Sequence, residues 1–214
     1  ITFLGQQVGW RVAYVAVAAV FALAFLAVAL VVPLQAGDPA ATMRRELAAL
    51  GRLQVWLALL VGAIGFGGFF AVYTYIAPLV TTVAGLAEYA VPLVLVAIGL
   101  GMTLGNVLGG RAADHGIKRW TVVAFVLLAA VFLGLALTAA NPVALFTFVF
   151  LVGAVASMLP PLIQTRLMDV AGDSQTLAAA INHSAFNIGN SLGAYLGGLA
   201  IAAGLGYVSP TWVG

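Results

Sequence analysis

Cysteine is absent from the sequence, which excludes disulfides, thiolate metal sites and cysteine nucleophiles while leaving the compartment open. Charge is almost as scarce: only 7% of the 214 residues are Asp, Glu, Lys or Arg, against about a quarter in a soluble domain. With a hydrophobic share of 64% and a mean hydropathy of +1.17, that shortage excludes a soluble fold. A formal net charge of +2, from eight basic residues that form no stripe, excludes nucleic acid as a partner. No Asp, Glu, Lys or Arg lies in the middle of an apolar run, so the usual intramembrane proton relay is missing. Paired carboxylates and metal-ligand clusters are missing too, which argues against an intramembrane enzyme, and no cofactor or metal is implied. Ser184 beside His183 makes no nucleophile and base pair, because neighbours on a helix point apart.

What the sequence does contain is long apolar runs, at about 12 to 33, 54 to 80, 89 to 110, 120 to 140, 143 to 163 and 177 to 204. A helical crossing of the bilayer hydrocarbon needs roughly 20 such residues. The expected class is therefore an all-α integral membrane protein of six transmembrane helices, with the lipid bilayer as its surroundings. The longest connection, 34 to 53, carries Pro39 and the stretch Met43-Arg44-Arg45-Glu46-Leu47, which has the composition of a short surface helix.

Short loops rich in Lys and Arg stay cytoplasmic. Arg44, Arg45 and Arg52 fall in the first connection, Arg111, Lys118 and Arg119 in the third and Arg166 in the fifth, while the second and fourth have none. This alternation predicts both ends on the outer side, leaving only Arg11 there to snorkel from the first span. A start at Ile1, without Met or a basic signal region, then reads as a cut edge with earlier spans before it.

Glycine is arranged rather than scattered. The third span contains Gly101-x-x-x-Gly105-x-x-x-Gly109-Gly110, and the sixth contains Gly189-x-x-x-Gly193-x-x-x-Gly197-Gly198. Such spacing leaves a flat stripe on which another backbone can lie closely. One stripe alone reads as static packing; two matching stripes also suit corresponding elements of an internal three-helix repeat, with the stripes as sliding surfaces. Between the third and fourth spans lies the basic hairpin Gly109 to Arg119, in which Gly110 and Gly116 permit a reversal. Asp114 there suits pairing with a base or capping a helix, and the alternative is a loop that only sets topology.

This hairpin resembles the cytoplasmic signature of the Major Facilitator Superfamily, a glycine followed by Asp-Arg-x-Gly-Arg-Arg, with His115 in place of the Arg and Gly116 one position early. Gly189 to Gly198 resembles the antiporter signature G-x-x-x-G-P-x-x-G-G, with Ala194 in place of the Pro. Gly9-Trp10-Arg11 resembles the Trp-Arg that follows the fifth helix of many members. The resemblance implies a chain running from the end of helix five to before helix twelve of a twelve-helix fold. Residues 1–33 would end the N-terminal half, 34–53 would be the cytoplasmic linker, and 54–214 would be the C-terminal half without its last helix.

In that family the first and fourth helices of each half line the central cavity, which implies the second and fifth spans here. Phe69, Phe70, Tyr73 and Thr74 then become pocket candidates, their alternative being an interfacial aromatic belt. Pro78 is a candidate hinge. Met158, beside Pro160-Pro161, is either a soft ligand contact or filler. His183, Asn187 and Asn190 recur at helical spacing as a polar stripe, read either as interhelical glue or as a substrate or gate contact, with Asn187 also a pocket candidate. His183 is either a structural histidine or a proton carrier.

The expected function is secondary active transport across the inner membrane: proton-coupled efflux of drugs or small metabolites, sugar or chloramphenicol-like, by alternating access with the missing N-terminal half. In it Gly110, Arg111, Asp114, Gly116, Lys118 and Arg119 would form the cytoplasmic gate motif. The alternative is a membrane scaffold or six-span subunit that transports nothing and acts through helix partners.

Overall fold

A computed structural model describes residues 9–33, 47–172 and 174–214, and these contain helices and turns but no strand. Of the surface helix expected at Met43–Leu47 all but Leu47, and most of the 34–53 connection, lie outside the described residues. The chain divides into two units, residues 1–41 and 42–214.

The first unit holds α1, Trp10–Val31. It opens after Gly9, whose φ of 96° suits a residue without a Cβ. The Arg11 guanidinium lies 4.8 Å from the centre of the Trp10 ring. The helix closes at Val32, which is extended because Pro33 disfavours helical geometry in the residue before it.

In the second unit a short 3₁₀ turn, Ala48–Gly51, leads into α2, Leu53–Tyr73. Then come α3 (Ala90–Asp114), α4 (Ile117–Thr138), α5 (Pro142–Ala156), α6 (Leu159–Ala171), α7 (Gln175–Ala200) and the short α8 (Ser209–Val213). Among the described residues six helical stretches are long and apolar enough to cross a membrane. Two are composite: α5 with α6 over Pro142–Ala171, and α7 with a π-helical turn to Leu205.

Prolines place the breaks. Pro78 has no N–H to offer the Thr74 carbonyl and its ring crowds that carbonyl. Accordingly α2 stops at Tyr73, the chain turns at Thr74–Tyr75, and a short segment, Ile76–Pro78, runs into a π-helical turn over Leu79–Val83. The second span, an apolar run over 54 to 80 in which Pro78 was expected to kink or end the helix, is thus broken one turn before the proline. In the fifth span Pro160 and Pro161 withdraw donors from Ala156 and Ser157, and the break falls at Ser157–Met158. Helix resumes and runs to Ala171, so Gln164 and Arg166, expected at or beyond the end of the span, lie inside α6. Asn141-Pro142 starts α5 for a local reason: the Ala144 N–H donates to Asn141 Oδ1 at 3.1 Å and Pro142 occupies the first turn.

The third connection also differs from expectation. It was expected to occupy residues 111–119, but α3 continues to Asp114 and α4 begins at Ile117. Only His115 and Gly116 turn the chain, Gly116 at a φ of 124°. Charged residues look like loop in a hydropathy profile, yet a helix end that projects past the hydrocarbon into water carries them without cost.

Both glycine stripes are buried, and each meets a different helix. A Cβ on Gly101 or Gly105 would run into the carbonyl oxygens of Phe150 and Ala154, and one on Gly109 would sit 2.6 Å from that of Met158, so α3 lies backbone against backbone on α5 and the start of the break. Likewise a Cβ on Gly189 or Gly193 would meet the carbonyl oxygens of Ala63 and Gly67, and one on Gly197 would lie 3.1 Å from that of Ala71, setting α7 on α2. In lipid no hydrophobic drive pulls helices together, so close backbone approach with its dispersion contacts is what holds each pair. Around these pairs Val94, Leu135, Leu145 and Leu159 anchor the main core, and Val55, Leu59, Leu167 and Ala178 tie α2, α6 and α7 into a smaller one.

Candidate functional site

The α2–α7 pair carries most of the side chains singled out from the sequence. Because the glycines bring the two axes close, aromatic rings on their flanks meet. Phe66 of α2 stacks on Phe186 of α7 at 4.5 Å between centroids, with planes 9° apart. Phe66 continues to Phe70 at 6.5 Å, Phe70 to Phe69 at 5.5 Å, and Phe69 stacks on Tyr73 at 5.3 Å. At the other end His183 meets Phe186 edge-on at 6.4 Å. The result is a ladder of rings from His183 to Tyr73. Phe69 and Phe186 are buried in it, Phe66 and Phe70 are half-buried, and Tyr73 and Thr74 are exposed.

Beside the ladder the free surface of α7 divides in two. His183, Asn187 and Ser191 are exposed at four-residue spacing, with Ser184 next to them and Asn190 half-buried at the edge. About 100° per residue separates this sector from a second one formed by Ile188, Leu192, Tyr195, Leu196 and Leu199, all exposed. The second sector can face acyl chains. The first cannot: its Ser191 hydroxyl donates to the Asn187 carbonyl at 2.9 Å, but the amides and imidazole need partners that lipid does not supply, so it needs water or other protein.

Other singled-out residues sit elsewhere. Met158 is buried beneath Gly109 at the α3–α5 contact, in the same main core that holds Phe69 and Phe186, and makes no ring contact of the ladder. Pro78 lies beyond the break it causes. In the hairpin Gly110 and Arg111 occupy the last turns of α3, where Arg111 complements the helix dipole, and Lys118 and Arg119 occupy the first turn of α4. Asp114 is exposed, and its carboxylate takes no hydrogen bond or ion pair among the described residues; instead His115 Nδ1 lies 2.8 Å from the Arg111 carbonyl oxygen. A recess of about 370 Å³ between α2, α4 and α6 has apolar walls including Leu57, Val122 and Ile163, with Lys118 and Arg166 among its lining residues.

Two features escaped sequence reasoning. Asn182, one residue before His183, is 1% exposed; its Nδ2 donates to Gln164 Oε1 at 2.6 Å, joining α7 to α6, and its Oδ1, like that of Asn190, has no partner among the described residues. Arg52 reaches across from the start of α2 to donate to the Val170 carbonyl at 2.9 Å, at the C-terminal end of α6. Arg52 counted only as a topology signal in the sequence, and nothing there pointed to an acceptor in the main chain.

These features define a multi-pass membrane protein of helices paired through glycine, with an uncharged polar and aromatic face. The chain belongs to the Major Facilitator Superfamily, whose family profile matches residues 1–194. It is 34% identical over 206 residues to the inner membrane transport protein YdhP of Escherichia coli K12, covering 96% of this chain and 53% of that protein. It is 34% identical over 215 residues to a chloramphenicol resistance protein of Streptomyces lividans, covering 99% and 55%. To the purine ribonucleoside efflux pump NepI of Escherichia coli O157:H7 it is 26% identical over 208 residues, covering 97% and 52%. The chain spans about half the length of these relatives.

Proposed function

We propose that this chain is the C-terminal part of a secondary active transporter of the bacterial inner membrane. It exports drugs or small metabolites by alternating access, in exchange for protons, together with an N-terminal half, and both chain ends lie outside. The observation that carries the reading is the polar sector of α7 next to the aromatic ladder, a face that lipid cannot satisfy and that suits a substrate with flat apolar parts and hydrogen-bonding groups. The names of the relatives, an inner membrane transport protein, a chloramphenicol resistance protein and a ribonucleoside efflux pump, support export of compounds of this kind. With no Asp, Glu, Lys or Arg in the middle of a span of this part, where His183 is the one titratable side chain of the polar sector, proton coupling is assigned to the N-terminal half. The unpartnered Asp114 and its basic neighbours form the half of a cytoplasmic latch that closes against that other half.

The experiment is accumulation of labelled chloramphenicol and of a purine nucleoside in cells without their own exporters, with the full-length protein present or absent. The expected result is lower accumulation that recovers when the proton gradient is collapsed. Unchanged accumulation for a panel of such compounds would move the protein to the scaffold reading. Asp114→Asn is expected to slow export by about ten- to a hundredfold with unchanged amounts in the membrane, one lost charge-assisted contact being worth roughly 1.5–3 kcal/mol. Undiminished export removes Asp114 from the latch.

A further inference from the structure

The last glycine of the α7 stripe does not face the α2 backbone as the others do. A Cβ on Gly198 would instead collide with the phenolic oxygen of Tyr75. Tyr75 is the half-buried residue at the break of α2; its ring lies over Gly197, where a Cβ would come within 3.0 Å of Cε2, and its hydroxyl donates to the Ala194 carbonyl at 2.8 Å. That carbonyl belongs to helical backbone one turn before Gly198, so the phenol donates a second hydrogen bond to an oxygen already used as an acceptor by the helix. The segment it holds, Ile76–Pro78, is joined to α2 only through the turn at Thr74–Tyr75, since Pro78 removes the donor that would have continued the ladder. Both helices leave regular α geometry just past this point, α2 at Leu79–Val83 and α7 at Ile201–Leu205, where Gly204 takes a φ of 81°.

We infer that Tyr75 is a positioning residue, a phenol latch that fastens the broken end of α2 to α7 through Ala194 and the gap left by Gly198. Below the break the glycine stripe fixes the two helices backbone to backbone and leaves no slack. Above it a single hydroxyl and one ring face tie the segment to α7, while Ile76 and the following Leu79 and Val80 are buried in the main core, so the end remote from the basic hairpin parts from α7 by releasing Tyr75 while the stripe stays shut. This rests on the transporter reading only for the purpose of the motion, not for its existence.

Because these 214 residues contain no cysteine, single reporters placed in them test this directly once any cysteine elsewhere in the full-length protein is replaced by serine. In the full-length protein in nanodiscs, an Ile76→Cys reporter, at a position that is 5% exposed next to the latch, is labelled with a polar maleimide. A Leu167→Cys reporter in α6, at a position with no exposure, serves as the distant control. Tyr75→Phe keeps the ring and removes the hydrogen bond. It is expected to speed labelling at the Ile76→Cys position about two- to tenfold, the change one neutral hydrogen bond makes to an equilibrium, and to leave the Leu167→Cys rate alone. Gly198→Ala, which displaces the phenol without touching Tyr75, is expected to do the same. Unchanged labelling at Ile76→Cys in both variants, or equal acceleration at both reporters, overturns the latch. Export by the same proteins separates the two readings: labelling that responds in a protein exporting none of the tested compounds leaves the latch standing and the proposed function failed, and the reverse pattern fails the latch alone.

Discussion

The α3–α5 and α2–α7 pairs use the same packing device, glycine every fourth residue against a partner carbonyl, but differ in everything around it. Beside the α3–α5 contact lie Ile98, Ala154 and a buried Met158. Beside the α2–α7 contact lie the ring ladder, the Tyr75 phenol, and an α7 surface split between amides and leucines. Glycine spacing thus sets how near two helices come, and the flanking residues set what the pair can do. A packing stripe is not by itself a site.

The largest effect expected breaks the equivalence of the two stripes. Gly105→Leu and Gly193→Leu each put a branched side chain into a partner carbonyl, and both should cost more than about 3 kcal/mol, the upper range for overpacking. Size-exclusion profiles and thermal unfolding in detergent would show loss of folded protein in both; tolerance in one alone would mean that the stripes are not the same device. Next, Phe186→Ala removes the ring between His183 and Phe66. In an aqueous core this change costs about 3–5 kcal/mol, but lipid replaces the lost apolar contact, so about 2 kcal/mol is expected with a clear loss of export. Stability loss with unimpaired export would reduce the ladder to packing. Asn182→Ala is expected to cost about 1–2 kcal/mol by stranding the Gln164 amide, and the double change with Gln164→Leu should recover most of it. Failure to recover, measured by the same unfolding assay, would assign the Asn182 site a role beyond the pair. Arg52→Gln should have the smallest effect, about 0.5–1 kcal/mol from a weakened bond at the end of α6.

Six spans, their glycine stripes and the interruption at Pro78 were legible because each depends on local sequence: apolar length, four-residue spacing and a missing N–H; the break at Ser157–Met158 was not expected. The faces were harder to read. His183, Asn187 and Asn190 share the spacing of Asn182, Phe186 and Gly189, and the two sets are one residue out of phase. Only the position of α2 and α6 decides that Asn182 is buried and His183 is exposed. For the same reason Phe69 and Phe70, adjacent in sequence, split into a buried and a half-buried ring. The acceptors of Arg52 and Tyr75 are main-chain carbonyls more than a hundred residues away, which have no side-chain signature at all. Hairpin length was misjudged because hydropathy follows the solvent, while the helix follows the backbone and outlasts the hydrocarbon.

The brevity of that hairpin has a mechanical consequence. Between Asp114 and Ile117 the chain can stretch to roughly 11 Å at most, since consecutive Cα atoms are about 3.8 Å apart. With His115 and Gly116 as their whole tether, α3 and α4 stay neighbours at this end in every conformation the protein visits. They can pivot about the join like the legs of a compass, but any travel of one end carries the other with it.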